Sequence, residues 1–524
     1  MNNCDQKTVS EKTLSKSRRN TLFNAVRKAI DTFRCGLEPS QFRDYILTLL
    51  FVKYLSDFYT SKVREYKKKY AGDTVRVNRA MNLERFVIPD IDIRDDQGLV
   101  RDHFKATFDS LYERRYRINL GEIINAVLGR LGDANTHKLH DVFCAIDFNN
   151  EEILGKIRQR NSRLKNLLED LNPLDLTMEP MKGPDGIGAF FEDLIDYFAS
   201  KAGKKIRGFY TPATVSETLA RIMAPRPGDR ICDPTCGSGS LLIRTGLQVG
   251  SHDYSIFGQE KGRGTWALCK MNMCMHQMDL ARIEWEDTLR LPLFVDNETL
   301  MIFDVVVANP PFNMDKWGQE MAEQDKHRRF KRGIPPKSKG DWAFVSHMIA
   351  IAEEGRGRVG VIVPHGTLFR GGQEGKIREA LINENMLDAV IGLPANLLYD
   401  TLIPSVVLIF DKARSFQGKD PVLFMDASMD YEKNLNRNRL RQQDIEKIVT
   451  TFHGKRTIDR FSRQVPYAEI ANNDFNLNIP LYVDRIDDDH VYDMGAVQYD
   501  IEGIKATLVR TQKKIDNYLK ELGV

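Results

Sequence analysis

No stretch of this chain approaches the roughly eighteen consecutive apolar residues of a membrane-crossing helix. Its amino terminus is polar and basic, without the apolar segment of a secretory signal. A soluble, cytoplasmic protein with no membrane partner is therefore expected. A dominant sign of charge is also missing. The formal charge is +3 over 524 residues, so there is no global basic field, and any contact with nucleic acid has to come from local patches or from a partner. Cysteine is sparse: seven residues, an odd number in a long chain, do not make a disulfide framework. Cys232 with Cys236 and Cys269 with Cys274 are poorly spaced for zinc and fall in segments that read as strand, turn and helix, so no metal is expected. There is no Gly-x-x-x-x-Gly-Lys-Ser/Thr, which disfavours a P-loop motor or kinase. The Gly237-Ser-Gly239 turn lacks the third glycine of a dinucleotide fingerprint, Leu242 standing there, which disfavours NAD.

What is present is organised around Phe303-Asp-Val-Val-Val-Ala-Asn-Pro-Pro-Phe312. Val305 to Ala308 has the length and β-branched content of a buried strand. Pro310 and Pro311 cannot continue it, and a residue before proline is held extended, so Asn309 is expected at the strand's carboxyl end. Open α/β sheets bind their ligands at such ends. The tetrapeptide suits the delivery of a methyl group to a planar amine, whose lone pair is delocalised and poorly nucleophilic. The Asn309 side-chain oxygen and the Pro310 carbonyl can accept the two amine hydrogens and favour the pyramidal geometry. The rigid Pro310-Pro311 pair holds both acceptors in advance. Phe312 offers a flat face for a heteroaromatic ring. Asn-Pro and Pro-Pro are also ordinary turn signals after a strand, and it is the upstream sequence that favours the chemical reading.

There, Asp229 to Ser240 reads as a strand, a Gly-rich turn and a helix start, with Gly237 and Gly239 allowing close backbone approach to a ligand. The helix amino terminus favours a carboxylate. A second strand, Ser255 to Gln259, ends at Glu260, placed to accept from a ribose diol. A third apolar stretch ends at Glu286-Asp287, where a carboxylate can receive an adenine amino group.

The chain is long enough for two or three domains. Residues 1–20 are expected to be frayed, 21–172 helical, 173–186 a Pro/Gly-rich linker, 187–480 an alternation of strands and helices, and 481–524 a tail. In the helical part, Phe42, Tyr45, Ile46, Leu49 and Leu50 recur at helical spacing, as do Phe104, Phe108, Leu111 and Tyr112. Farther on, Phe209-Tyr-Thr-Pro212 reads as a helix entry with Thr211 as N-cap and Pro212 at the first helical position. Strands expected near 229–233, 255–259, 283–286, 303–308, 358–363, 388–392 and 405–411 make a largely parallel sheet, with an antiparallel pair at one edge. After Phe312 comes a long insertion in which Lys326 to Lys339 carries seven Lys/Arg and no acid, expected to touch DNA phosphates. His365 and Arg370 are not expected to be catalytic.

Asp233-Pro-Thr-Cys-Gly-Ser-Gly-Ser240, Glu260, Asp287 and Asn309-Pro-Pro-Phe312 together resemble the S-adenosylmethionine-dependent amino-methyltransferases that make N6-methyladenine in DNA. Arg207-Gly208-Phe209-Tyr210-Thr211-Pro212 resembles that family's upstream cofactor motif. The similarity is closer to the modification subunits of type I restriction-modification systems, through Gln41 to Ser56, Val363 to Gly372 and Asn476 to Pro480, and covers the chain from about residue 20. It implies a Rossmann-like seven-stranded α/β sheet, preceded by an all-helical domain and followed by a helical tail. It implies Asn309, Pro310, Pro311 and Phe312 as catalytic residues. Asp233, Gly237, Ser238, Gly239, Ser240, Glu260 and Asp287 join residues 207–212 around S-adenosylmethionine. Implied partners are double-stranded DNA, a specificity subunit bound by two modification subunits, and a restriction/translocase subunit. Methylation of a protein glutamine or an RNA base, or an inactive scaffold of the same fold, are the alternatives; the intact Asn309 and cofactor turn argue against the last.

Past the last clear strand, Val422 to Met425, about a hundred residues remain and contain no recognisable DNA-reading module. Within them Ile501, Ile504, Leu508, Thr511, Ile515, Tyr518 and Leu522 alternate in spacings of three and four. This heptad seam is expected to pack against helices of the specificity subunit.

Overall fold

The computed structural model describes residues 20, 22–33, 39–94, 97–177, 186–201, 210–399, 401–414, 418–434, 437–484 and 494–521. The amino-terminal part is built on a long helix, α1 (Pro39–Lys69). Phe42, Tyr45, Ile46, Leu49 and Leu50 are all buried on it, as their spacing predicts. Each such side chain contributes about 1.5–3 kcal/mol on burial. A hairpin, β1 (Asp90–Arg94) and β2 (Val100–Lys105), follows and corrects the all-helical expectation. Phe104 lies on β2 opposite Ile91, and only Phe108, Leu111 and Tyr112 lie on the short helix α2 (Phe108–Glu113). The four-residue spacing of Phe104 and Phe108 mimics a helix, but the real helix begins at Thr107, whose hydroxyl accepts from the Ser110 amide at 3.2 Å. Helices α3 (Leu120–Ala134) and α4 (Ile157–Leu171) complete this part.

The α/β part opens with α5 (Ile187–Lys201) and α6 (Ala213–Met223). Then come β3 (Arg230–Asp233), α7 (Ser240–Leu247), β4 (Ser255–Glu260), α8 (Arg263–Met275), β5 (Arg282–Trp285) and β6 (Val305–Ala308). The second half continues with α9 (Asp341–Ile351), β7 (Arg358–Pro364), α10 (Gln373–Asn383), β8 (Leu387–Gly392) and β9 (Ser405–Asp411). It ends with β10 (Val422–Asp426), α11 (Gln442–His453), β11 (Ser462–Val465) and the terminal helix α12 (Met494–Glu521).

All seven expected strands form, in the spatial order β5-β4-β3-β6-β7-β9-β8. The sheet does not stop there. β10 pairs parallel to β8 and β11 antiparallel to β10, so the described sheet has nine strands rather than seven. The antiparallel pair β8–β9 forms as expected but is interior to the sheet instead of at its edge. Every residue of β6 is buried, as a central parallel strand covered on both faces requires. Leu477, Ile479, Tyr482 and Val483 still pack on the sheet core, so it reaches slightly beyond residue 480.

The two parts share one apolar cluster, with Phe42 of α1 against Phe198 of α5 at 6.0 Å between ring centroids. Polar fasteners flank it: Arg85 binds both Asp279 and the Cys274 carbonyl, and Lys138 reaches Asp279 at 3.3 Å. Among the described residues no helix is long and apolar enough to cross a membrane, and no group of three or more His, Cys, Asp or Glu is arranged to hold a metal.

Candidate active site

The strand order reverses at β3, which has β4 on one side and β6 on the other, both parallel to it. At this switch point the strand ends diverge and leave a crevice. A cavity of about 260 Å³ lies there, lined by residues from six stretches. They are Thr211; Asp233 to Ser238 with Ser240 and Leu241; Glu260 and Lys261; Glu286 to Thr288; Asn309, Pro311 and Met314; and Phe344.

The turn after β3 is fixed from three sides. Gly237 has φ +55° and Gly239 φ +81°, the left-handed region that favours glycine. The Cys236 amide donates to the Gln259 carbonyl at 3.0 Å, tying the turn to β4. Asn272, buried on α8, donates to the Ser238 carbonyl at 2.9 Å. Gly239 also meets a packing demand. A Cβ there would stand 2.8 Å from Cys269 Sγ and 2.8 Å from Met273 Cε, so the missing side chain admits α8.

Glu260 is buried at the end of β4. Its Oε1 accepts from the Gly262 amide at 2.7 Å and its Oε2 from the Gly237 amide at 3.1 Å. Burial raises its pKa, and the amides of Gly262 and Gly237 oppose the rise. Asp233 lies beside it, Oδ1 accepting from the Thr235 amide at 2.8 Å. Burial, with the nearby Glu260 charge, pushes Asp233 up to about 8 against the Thr235 hydrogen bond. Asp287 lines the cavity with its carboxylate already engaged. Oδ1 accepts from the Leu289 amide at 3.1 Å, and Oδ2 pairs with Lys261 at 2.9 Å. It therefore shapes the turn that forms one cavity wall.

Asn309 follows β6 at the crevice. Its Nδ2 donates to the Thr211 hydroxyl at 3.0 Å, a contact across 98 positions of sequence. Thr211 is thus not the N-cap of α6: the helix begins at Ala213 after Pro212, and the threonine serves the site instead. Pro311 lines the cavity, Pro310 is buried, and Phe312 is half-buried against the main core, outside the cavity lining. Tyr210 is buried under Arg43 of α1, and Arg207, Gly208 and Phe209 lie outside the described residues.

The insertion after Phe312 is partly bolted down. Arg329 is buried, pairs with Asp325 at 2.9 Å and donates to the Thr288 and Leu289 carbonyls at 3.0 and 2.9 Å, bracing the wall that Asp287 shapes. Arg332 pairs with Glu384, and Lys339 donates to Asn313 Oδ1 at 2.6 Å. Of the seven cations, Lys326, Arg328, Lys331 and Lys337 remain exposed. Arg370 donates to Asp341 Oδ2 at 2.8 Å and to Asn313 Oδ1 at 3.2 Å, so it shapes the loop beyond Phe312.

Sequence reasoning missed Asn272, Arg329, Met314 and Phe344. No local pattern marks them: Asn272, Arg329 and Phe344 act on elements distant in the chain, and Met314 lies just past the tetrapeptide.

The donor set fits S-adenosylmethionine. Each Glu260 oxygen takes one backbone amide and retains a second acceptor position for a diol, the acidic cavity favours a cation, and the Gly-rich turn leads into α7. Comparison with known proteins agrees with this chemistry. The profile of the N-6 DNA methylase family matches residues 182–490, and that of the HsdM N-terminal domain matches residues 22–171. The chain is 28% identical to the type I restriction enzyme MpnII methylase subunit of Mycoplasma pneumoniae, covering 96% of this chain and 97% of that protein. It is also 28% identical to the MjaVIII methylase subunit of Methanocaldococcus jannaschii, over 98% and 87% of the two chains. A crystal structure of the type I restriction-modification system methyltransferase subunit from Streptococcus thermophilus superposes with a TM-score of 0.74 at 28% identity, covering 89% of this chain and all (100%) of that one. Sheet order, crevice and matched profiles converge: the chain belongs to the N-6 DNA methylase family, as an adenine-specific modification subunit of a type I restriction-modification system.

Proposed function

We propose that this subunit transfers the methyl group of S-adenosylmethionine to the N6 amine of an adenine flipped out of double-stranded DNA. The observation that carries the assignment of residues is the Asn309–Thr211 hydrogen bond. With Nδ2 engaged, the amide presents Oδ1 as the acceptor for the target amine. The Pro310 carbonyl is the second acceptor, and Phe312 stacks on the flipped base. Bound cofactor supplies an electrophilic methyl group. The protein's part is to orient the amine, exclude water and hold the charge. Asp233 and Glu260 face the cationic cofactor and its ribose, the Gly237–Ser240 turn holds its carboxylate end, and Thr211 lines the same cavity.

Sequence reading belongs to a separate specificity subunit, served by two modification subunits, with a restriction/translocase subunit in the full cytoplasmic complex. What supports the docking role of α12 is its row of apolar residues in water: Ile501, Ile504, Leu508, Val509 and Ile515 are between 45% and 66% exposed. Residues 173–186 link the helical domain to the methyltransferase domain at 187–480. The exposed Lys326, Arg328, Lys331 and Lys337 contact DNA phosphates.

The test is Asn309→Ala. It is expected to leave calorimetric binding of S-adenosylmethionine nearly intact while methyl transfer to DNA falls by roughly 10²–10³-fold, the loss typical of one preorganised polar group. Wild-type turnover in the variant would remove Asn309 from the mechanism.

A further inference from the structure

We propose that the amino-terminal helical domain contributes a positioning residue to the methyl-transfer site. Arg43 of α1 holds Tyr210, and through it keeps Thr211 where it anchors the Asn309 amide. This inference rests on Asn309 as the amine-orienting group.

Arg43 is 7% exposed and Tyr210 4%. The guanidinium donates from Nη1 to the Tyr210 hydroxyl at 2.5 Å and from Nε to Asp44 Oδ1 at 2.6 Å. Its carbon stands 5.9 Å from the Tyr210 ring centroid. Burial pushes the Tyr210 phenol up to about 12, so it stays neutral and this contact is a hydrogen bond, not a tyrosinate pair. Asp44 lies over the start of α8, where a Cβ built on Gly264 would be 3.5 Å from Asp44 Oδ2. Arg43 and Asp44 thus overlook both the Thr211 segment and the loop just past Glu260.

A buried cation is not needed to hold the domains together. The shared apolar cluster and the Arg85 and Lys138 contacts to Asp279 already do so. What Arg43 adds is a fixed position for Tyr210, and the next residue is Thr211. That threonine fixes where the Asn309 amide sits at the crevice. Shifted from that position, the amide would no longer aim Oδ1 at the amine, and the acceptor would be misplaced. Freeing Tyr210 therefore costs alignment of one acceptor at the reacting amine, an effect on transfer more than on binding.

The test uses the full-length chain in its modification complex, with single-turnover methyl transfer to duplex DNA at saturating S-adenosylmethionine and DNA. Arg43→Ala is expected to slow transfer by about tenfold, within the range of couplings in one hydrogen-bond network. Cofactor affinity should change far less. Tyr210→Phe should slow transfer similarly, and the double variant should be no slower than either single one, because both remove the same link. Arg43→Lys should recover part of the rate. Arg85→Ala, which loosens the domain contact elsewhere, should leave the rate near wild type. Wild-type transfer in Arg43→Ala, additive losses in the double variant, or an equal loss in Arg85→Ala would each overturn the proposal. An inactive Asn309→Ala beside a fully active Arg43→Ala removes this inference alone, whereas a fully active Asn309→Ala removes the reading beneath it.

Discussion

Binding of S-adenosylmethionine at neutral pH should expel a proton from Asp233. This carboxyl is buried beside the Gly-rich turn and Glu260, and burial pushes it up to about 8. At pH 7 it is therefore about nine-tenths protonated. The cofactor brings positive charge into the cavity that Asp233 lines, which favours the ionised form. About 0.9 proton per cofactor should then be released at pH 7, and about 0.1 at pH 9. Affinity should rise close to tenfold per pH unit from about pH 6 towards 7.5 and level off above about 8.5. Titration calorimetry in two buffers of different ionisation enthalpy reads the released proton directly. Asp233→Asn should abolish both the buffer dependence and the pH slope. The same shift has a consequence for the free protein. The folded carboxyl holds its proton to a higher pH than the ordinary 3.8, so this contribution to stability is fully present below that value and is lost as pH rises towards about 8. A wild-type protein whose binding heat at pH 7 is the same in both buffers would refute the argument.

Gly239→Ala should lower the thermal midpoint, since its φ of +81° and the 2.8 Å approach to Cys269 and Met273 combine a strained backbone with overpacking of about 1–3 kcal/mol. Cofactor affinity, measured well below the new midpoint, should be less affected than stability. Arg329→Ala leaves Asp325 buried without its partner and should cost about 3–5 kcal/mol locally, exposing residues 313–340 to limited proteolysis. Replacing Lys326, Arg328, Lys331 and Lys337 together should weaken DNA binding across all sequences. It should also flatten the logarithmic salt dependence by up to about 0.9 per lost phosphate contact.

The strands and the Gly-rich turn after β3 were legible in the sequence because their causes are local. Val305–Ala308 is apolar throughout because it is covered on both faces, and the two prolines end it. Phe104 was misread because a residue spacing of four is shared by a helix and by a strand followed by a helix. Strands β10 and β11 extend the sheet past the seven counted because pairing depends on neighbours far along the chain. The role of Thr211 was invisible for the same reason: its partner lies 98 residues away. Arg329 looked like one more cation in a basic run, and only the fold distinguishes a buried brace from a solvated charge.

The position of β6 has a consequence for the order in which a newly made chain matures. Its hydrogen-bonding neighbours are β3, synthesised earlier, and β7, synthesised later. At roughly 5–20 residues per second, Arg358–Pro364 follow Val305–Ala308 by several seconds of translation. Until then the strand that carries Asn309 is a sheet edge with one partner, while the turn after β3 already has β4 and β5 beside it. A nascent or prematurely terminated chain ending before Arg358 would hold β3, β4 and the Gly-rich turn without the second neighbour that fixes the strand before Asn309. A chain arrested there is therefore expected to fail in methyl transfer to DNA.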